Sequence, residues 1–301
     1  MKIRKDFKII KNYKINFSIS LVIIIIGLAL AGIRGFNYGI DFTGGTLIEI
    51  NMNKYVSTED IRAITDGFDK NTQINYIGEN KEGIQLKTTE DLNNEKRTEL
   101  FGQFASEYNL SSKDLVKSEQ FGPAIGKEIK SKAFISVIIA TLAMLVYISL
   151  RFKLEFGIAA IIALIHDVLI VVSVYSIFRI PLNSPFVAAM LTVVGYSIND
   201  TIVVFDRIRE NMRGARRDSH EDVADLSINQ TIARSINTSL TTLLAIIALY
   251  VMGVDSIKEF TLPLIAGISV GVYSSIFIAS PIWVLINKNV RKKQIKKLGT
   301  N

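Results

Sequence analysis

Long uncharged apolar runs alternate with charged stretches along this chain, and the run length predicts membrane helices. About 20 residues rising 1.5 Å each cross roughly 30 Å of hydrocarbon. Six runs qualify: Ile15 to Ile33, Ala133 to Leu150, Phe156 to Phe178, Pro185 to Phe205, Ser235 to Val254 and Phe260 to Ile286. With their flanks they predict spans at 15–33, 131–150, 155–178, 185–206, 233–254 and 260–287. A basic stretch precedes the first run, and Ala29-Leu30-Ala31 resembles a signal cleavage site. The run exceeds the apolar region of a typical signal peptide, so it reads as a retained anchor.

Between the first two runs, 36–127 has a different rhythm. Thr46 to Asn51 alternates like a half-buried strand, and Ser57-x-x-Asp60 opens a helix on which Ile61, Ile64 and Phe68 recur at helical spacing. Gln73 to Ile77 and Ile84 to Lys87 read as strands joined through a turn-rich link, Asn93 to Tyr108 as a second amphipathic helix, and Leu115 to Ser118 as a last strand. The order β-α-β-β-α-β is that of a ferredoxin-like unit. The predicted fold class is therefore a multi-pass α-helical membrane protein with one α+β domain outside the bilayer.

Composition agrees and charge adds orientation. The 301 residues are 49% hydrophobic and 21% charged, with mean hydropathy +0.31, two histidines and no cysteine. Thiolate metal sites, disulfides and cysteine nucleophiles are excluded, and two histidines argue against a histidine-rich metal site. No nucleophile and base stand at plausible spacing and no nucleotide-binding loop is present, so the reading is non-enzymatic, with no cofactor and no metal. The net charge of +7 is uneven, because 36–127 holds 10 Lys and Arg against 15 Asp and Glu, which leaves 25 against 13 elsewhere. That basic excess sits in 1–14, after the second run, in 207–232 and in 288–301, so it speaks of topology rather than nucleic acid. Both termini are expected in the cytoplasm and 36–127 outside it.

Ionisable residues within the spans are the sharpest chemical signal, since each costs about 2.5–3.5 kcal/mol at a helix centre even on a lenient scale. They are His166-Asp167 in the third span, Asp200 in the fourth, and Arg234 where the fifth begins. Asp200 and Arg234 fall at similar depth on antiparallel helices, within pairing reach. Arg234, Thr238, Thr241 and Thr242 form a polar stripe on the fifth helix, and Tyr196, Ser197, Asn199, Asp200 and Thr201 face similar depth on the fourth, which predicts a wet seam between the two. The seam reads equally as a proton switch or as a fixed salt bridge. His166-Asp167 reads more simply as a pair satisfying its own hydrogen bonds, with a relay as the other reading.

Gly267-x3-Gly271-x3-Ser275 is a ridge of small residues for close helix approach. Gly44-Gly45 lacks phosphate-loop spacing and reads as a backbone bend where the chain leaves the membrane and begins its first strand.

Two stretches carry a more specific pattern: GIDFTGGT (Gly39, Asp41, Phe42, Gly44, Gly45 and Thr46 among its residues) and VGYSINDTIVVFDRIREN, Val194 to Asn211. They resemble the signature regions of the SecF branch of the SecD/SecF family, accessory subunits of the bacterial Sec translocase. Arg234-x3-Thr238-Ser239-x-Thr241 and His166-Asp167 resemble the family's fifth-helix and third-helix patterns. The resemblance implies half of a fold akin to RND transporters, completed by SecD in a heterodimer in the cytoplasmic membrane. It also implies use of a proton or sodium gradient to help preproteins finish crossing through SecYEG. Asp200 and Arg234 match the family's ion-coupling Asp and essential Arg. Two other readings stand beside it: half of an RND-type small-molecule exporter, and a purely structural subunit of a membrane complex.

Overall fold

The computed structural model describes residues 7–78, 80–214 and 219–288. The chain crosses with α1 (Tyr13–Arg34), makes one turn of helix, α2 (Ile40–Thr43), and enters β1 (Gly45–Asn51). There follow α3 (Thr58–Thr65), β2 (Gln73–Ile77), β3 (Gly83–Thr88), α4 (Asn94–Tyr108) and β4 (Leu115–Phe121). The chain then returns through α5 (Pro123–Arg151), α6 (Leu154–Ile177), α7 (Ser184–Gly214), α8 (His220–Met252) and α9 (Asp255–Ser274). A π-helical turn, Ser275–Ala279, prolongs α9, and the helical run ends at Lys288. Among the described residues six helices are long and apolar enough to cross a membrane, in the places the apolar runs mark.

The small domain is a four-stranded antiparallel sheet in the order β2-β3-β1-β4, the ferredoxin-like arrangement expected from the sequence. Strand alternation gives its two faces different tasks. Ile48, Ile50, Ile84 and Leu86 are buried against Ile61 of α3 and Leu100 and Phe104 of α4. The other face presents Gln73, Asn75, Gln85 and Lys87. Both helices start with side-chain caps: Ser57 accepts from the Asp60 N–H and Asn93 from the Lys96 N–H.

In the membrane part, α6, α7 and α9 make the inside of the bundle, while α1, α5 and α8 lie at its outside. Small residues set the close crossings. A Cβ on Gly267 of α9 would stand 2.3 Å from Val193 Cγ2 of α7, and one on Gly27 of α1 would stand 2.2 Å from Ser173 Cβ of α6. The Gly267-Gly271 ridge is thus a packing surface against α7 within the chain. Near the chain ends Phe156 stacks on Trp283 at 5.1 Å and meets Phe205 edge-on at 5.0 Å. At the domain end Tyr175, Phe186, Met190 and Leu264 form a second apolar core.

The stretch 207–232, expected as a loop, is mostly helical: α7 runs on to Gly214 and α8 begins at His220. At 33 residues α8 is about 50 Å long, more than the bilayer core needs. Its start holds the chain's beginning, for Asp225 accepts from the Ile9 and Ile10 N–H groups at 2.9 Å, and Asn229 pairs with the Phe7 backbone. Lys288 is bound to Glu221. The two ends of the described chain and the α7–α8 hairpin therefore share one end of the bundle, and the sheet domain occupies the other.

Candidate functional site

Two carboxylates are almost wholly enclosed by apolar helices, Asp167 at 1% exposure and Asp200 at 3%. Asp167 on α6 is saturated. Its Oδ2 accepts from Ser197 of α7 at 2.6 Å and from Ser274 of α9 at 2.8 Å, and its Oδ1 lies 3.0 Å from His166 Nδ1. The other ring nitrogen of His166 is 2.8 Å from Ser20 Oγ on α1, and the ring stacks on Tyr273, whose hydroxyl donates to the Asn16 carbonyl. This network ties four helices together, which is what a fully satisfied buried polar cluster does best.

One turn along α7 from Ser197, Thr201 shares a 2.8 Å hydrogen bond with Ser275. Ser275 opens the π-helical turn, in which the Ser280 hydroxyl donates back five residues to the Ser275 carbonyl. Such single π turns within α-helices recur at functional sites.

Asp200 faces α8 and accepts one hydrogen bond, 3.0 Å from Ser239 Oγ. Arg234 is not its partner. No ion pair joins the two among the described residues, and Arg234 lies on an exposed face of α8 with Thr238 and Thr241. The helix has two polar stripes about a third of a turn apart, and the smaller one turns inward. Ser227, Thr231, Ser235 and Ser239, spaced by four, are all buried. Their small side chains let α8 approach α7 closely, and Ser227 and Thr231 return their hydroxyl protons to carbonyls one turn earlier. Ser235, one turn before Ser239, is buried without a hydrogen-bond partner.

The outward stripe continues onto α7, where Thr192 and Asn199 are exposed and the Tyr196 hydroxyl donates to Thr242 Oγ1 at 2.9 Å. The expected seam between α7 and α8 therefore exists but has two sides. Asp200 and the small hydroxyls lie within it, while Arg234, Thr238 and Asn199 point away from the rest of the chain. The hydroxyl partners Ser20 and Ser274 are the residues that sequence reasoning did not single out. Ser239 entered only as a member of the fifth-helix pattern, and the four-residue spacing from Ser227 to Ser239 was the signal that it turns inward.

The Gly39 to Thr46 segment forms the joint between membrane and domain. The Gly39 N–H donates to the Leu182 carbonyl, and Asp41 Oδ2 accepts from the Ser184 N–H at 2.7 Å, capping the start of α7. Phe42 packs edge-on against Tyr38. Gly44 at φ +82° and Gly45 at φ +143° make the bend, and a Cβ on Gly45 would lie 2.2 Å from the Thr88 carbonyl oxygen. Thr46 is fully buried, donating to the Glu90 carbonyl and accepting from the Leu92 N–H.

Comparison with known proteins agrees with this architecture. Residues 103–289 match the model of the SecD/SecF protein export membrane protein C-terminal region, and residues 29–56 that of the SecD/SecF GG motif. The chain is 35% identical to protein translocase subunit SecF of Vibrio alginolyticus, over 99% of this chain and 96% of that one. It is also 35% identical to SecF of Acidaminococcus fermentans, over 96% of this chain and all of that one. The crystal structure of SecDF from Thermus thermophilus, described as a translocon-associated membrane protein, superposes with a TM-score of 0.82 at 37% identity. That match covers 96% of this chain and 40% of the SecDF chain. With six membrane-crossing helices and such relatives along its whole length, this multi-pass cytoplasmic-membrane protein belongs to the SecD/SecF family, as one of its SecF-type protein translocase subunits.

Proposed function

We propose that the chain works with a SecD partner to couple a transmembrane ion gradient to late steps of preprotein export through SecYEG, with Asp200 as the residue whose charge changes. One observation carries this: a carboxylate enclosed in the membrane has, among the described residues, one hydroxyl as its partner and no cation. A buried charge has to be neutralised. For Asp200 the candidate cations are a proton, a sodium ion, or an arginine brought in by helix movement. Ser239 Oγ lies at the carboxylate, and Ser235, one turn earlier on the same face of α8, is buried without a hydrogen-bond partner among the described residues.

Arg234 supports the second half of the proposal. An arginine on the outward face of a membrane helix, flanked by Thr238 and Asn199, is costly against lipid and calls for protein or water as its neighbour. SecD is the partner of matching kind, and the solved SecDF chain, of which this chain spans 40%, has room for such a half. In this reading the termini and the α7–α8 hairpin are cytoplasmic, the sheet domain engages the emerging preprotein outside, and the chain performs no chemistry of its own.

The test is gradient-driven preprotein export in membrane vesicles holding the whole complex. Asp200→Asn and Arg234→Met, each inserted stably with its partner, are expected to lose the stimulation by the gradient. Wild-type rates for both variants would exclude the mechanism. A purely structural role predicts instead that each single change harms assembly and that the double neutralisation exports normally. Exchanging sodium for potassium at a fixed proton gradient identifies the ion.

A further inference from the structure

The sheet domain meets the membrane bundle at two places. The covalent one is a stem: β1 enters at Gly45 and β4 leaves at Phe121, and these residues face each other in register. Both stem strands lie on the β1-β4 side of the sheet. Held there alone, the domain would be fixed along one side of its sheet only, through the short segments at Gly44-Gly45 and Gly122.

The second place is non-covalent and lies under the opposite side, at β2 and β3. Glu259, in the second turn of α9, receives Lys87 Nζ of β3 at 2.9 and 3.1 Å, Asn75 Nδ2 of β2 at 2.9 Å and Gln73 Nε2 at 3.1 Å. It also receives Asn183 Nδ2 at 2.8 Å, while the same Asn183 caps α7 by accepting from the Phe186 N–H. One turn earlier on α9, Asp255 accepts from the backbone N–H of Tyr76 on the sheet edge at 2.7 Å. The Lys87 and Glu259 side chains are only 15% and 13% exposed. Removing one member of such a pair leaves the other charge enclosed without its counterion.

The position of Glu259 gives these contacts a direction. It touches the start of α7, the helix that carries Asp200, and it follows α8, the helix that carries Ser239, by seven residues from Met252. Pro263 lies four residues further along α9 and has no N–H, so the hydrogen bond that would hold the Glu259 carbonyl within the helix is missing. The helix is therefore least constrained where it grips the sheet. We propose that Glu259 is the positioning residue that fixes the external domain against the membrane bundle and passes relative displacement of α7 and α8 to the sheet. The source of that displacement rests on the Asp200 reading above; the clamp itself is observed through domain position alone.

The chain has no cysteine, so with cysteine-free partner subunits two introduced cysteines give a clean spin-label pair in the intact complex. Glu95→Cys on α4 and Met252→Cys at the end of α8 are both exposed. The intact clamp gives a narrow label-to-label distance distribution without a gradient. Glu259→Gln is expected to broaden it and to slow export about fivefold or more. Lys87→Glu combined with Glu259→Lys is expected to restore both, with export within about threefold of wild type, because the neighbouring amides can turn their oxygens toward a lysine. If Glu259→Gln fails to insert, Gln73→Ala with Asn75→Ala removes domain-side partners and leaves α9 untouched, with the same broadening expected. A distribution that stays narrow in these variants, or one that broadens while export keeps its wild-type rate, overturns the proposal. If Asp200→Asn keeps its gradient response while Glu259→Gln still broadens the distribution and slows export, the coupling reading falls and the clamp stands.

Discussion

Asp167 accepts from Ser197 and Ser274 and pairs with His166, whereas among the described residues Asp200 accepts from Ser239 alone. The two carboxylates are equally enclosed, so the number of partners separates their roles. Each buried hydrogen bond left unmade costs about 1–3 kcal/mol. Asp167→Leu removes the acceptor of Ser197 and Ser274 and the neighbour of His166 Nδ1, and is expected to lower the thermal midpoint of the detergent-solubilised protein markedly, as read by fluorescence-detected aggregation. Asp200→Asn, losing at most one bond, is expected to stay within a few degrees of wild type. The sequence exposed both positions because charge inside an apolar run is expensive wherever it occurs. It exposed His166 as the neighbour of Asp167 but not which hydroxyls each carboxylate uses, because hydroxyls are common in membrane helices and only packing decides which are used. Arg234 shows the limit most clearly: two polar stripes were present on α8, and the bulkier one, which reads as the natural mate of Asp200, faces outward because the serine and threonine stripe fits α7 more closely.

Among the elements, agreement follows the strength of the periodic signal. Strand alternation and capping residues placed all six elements of the small domain, β2 to the residue, but the first helix was expected to run from Ser57 to Lys70 and α3 ends at Thr65, before Phe68. The α7–α8 hairpin was not visible, since a helix leaving the membrane loses its apolar face and reads as a polar loop. The small-residue ridge on α9 was legible as a close approach, and the structure shows that its partner is α7. Gly267→Val would force at least one methyl group into Val193, and overpacking of this kind costs about 1–3 kcal/mol or more. The expected outcome is a lower yield of folded protein after solubilisation, with Val193→Ala in the same chain recovering part of it. Equal yields of Gly267→Val and wild type would show that the α7–α9 crossing has room for a branched side chain and contradict the close approach.

As a whole, the molecule is an inner triad of helices with an unfinished outer face. Thr192, Asn199, Arg234, Thr238 and Thr241 line the outside of α7 and α8 where a lone membrane bundle would place apolar side chains against lipid. Expressed without its SecD partner, the chain is expected to be degraded several-fold faster than in its company, and Arg234→Leu is expected to lengthen the lifetime of the lone chain while leaving it unable to support gradient-driven export. Pulse-chase lifetimes with and without the partner check this, and equal lifetimes in both conditions would remove the interface from the account. The central claim, that Asp200 carries the coupled ion, is tested most directly by ion flux. Proteoliposomes containing the complete complex and a proton- or sodium-sensitive dye, given an imposed gradient, should show inward ion movement on addition of an exporting preprotein. Replacing Asp200 by Asn should abolish that movement, and undiminished flux through the Asp200→Asn complex would contradict the account.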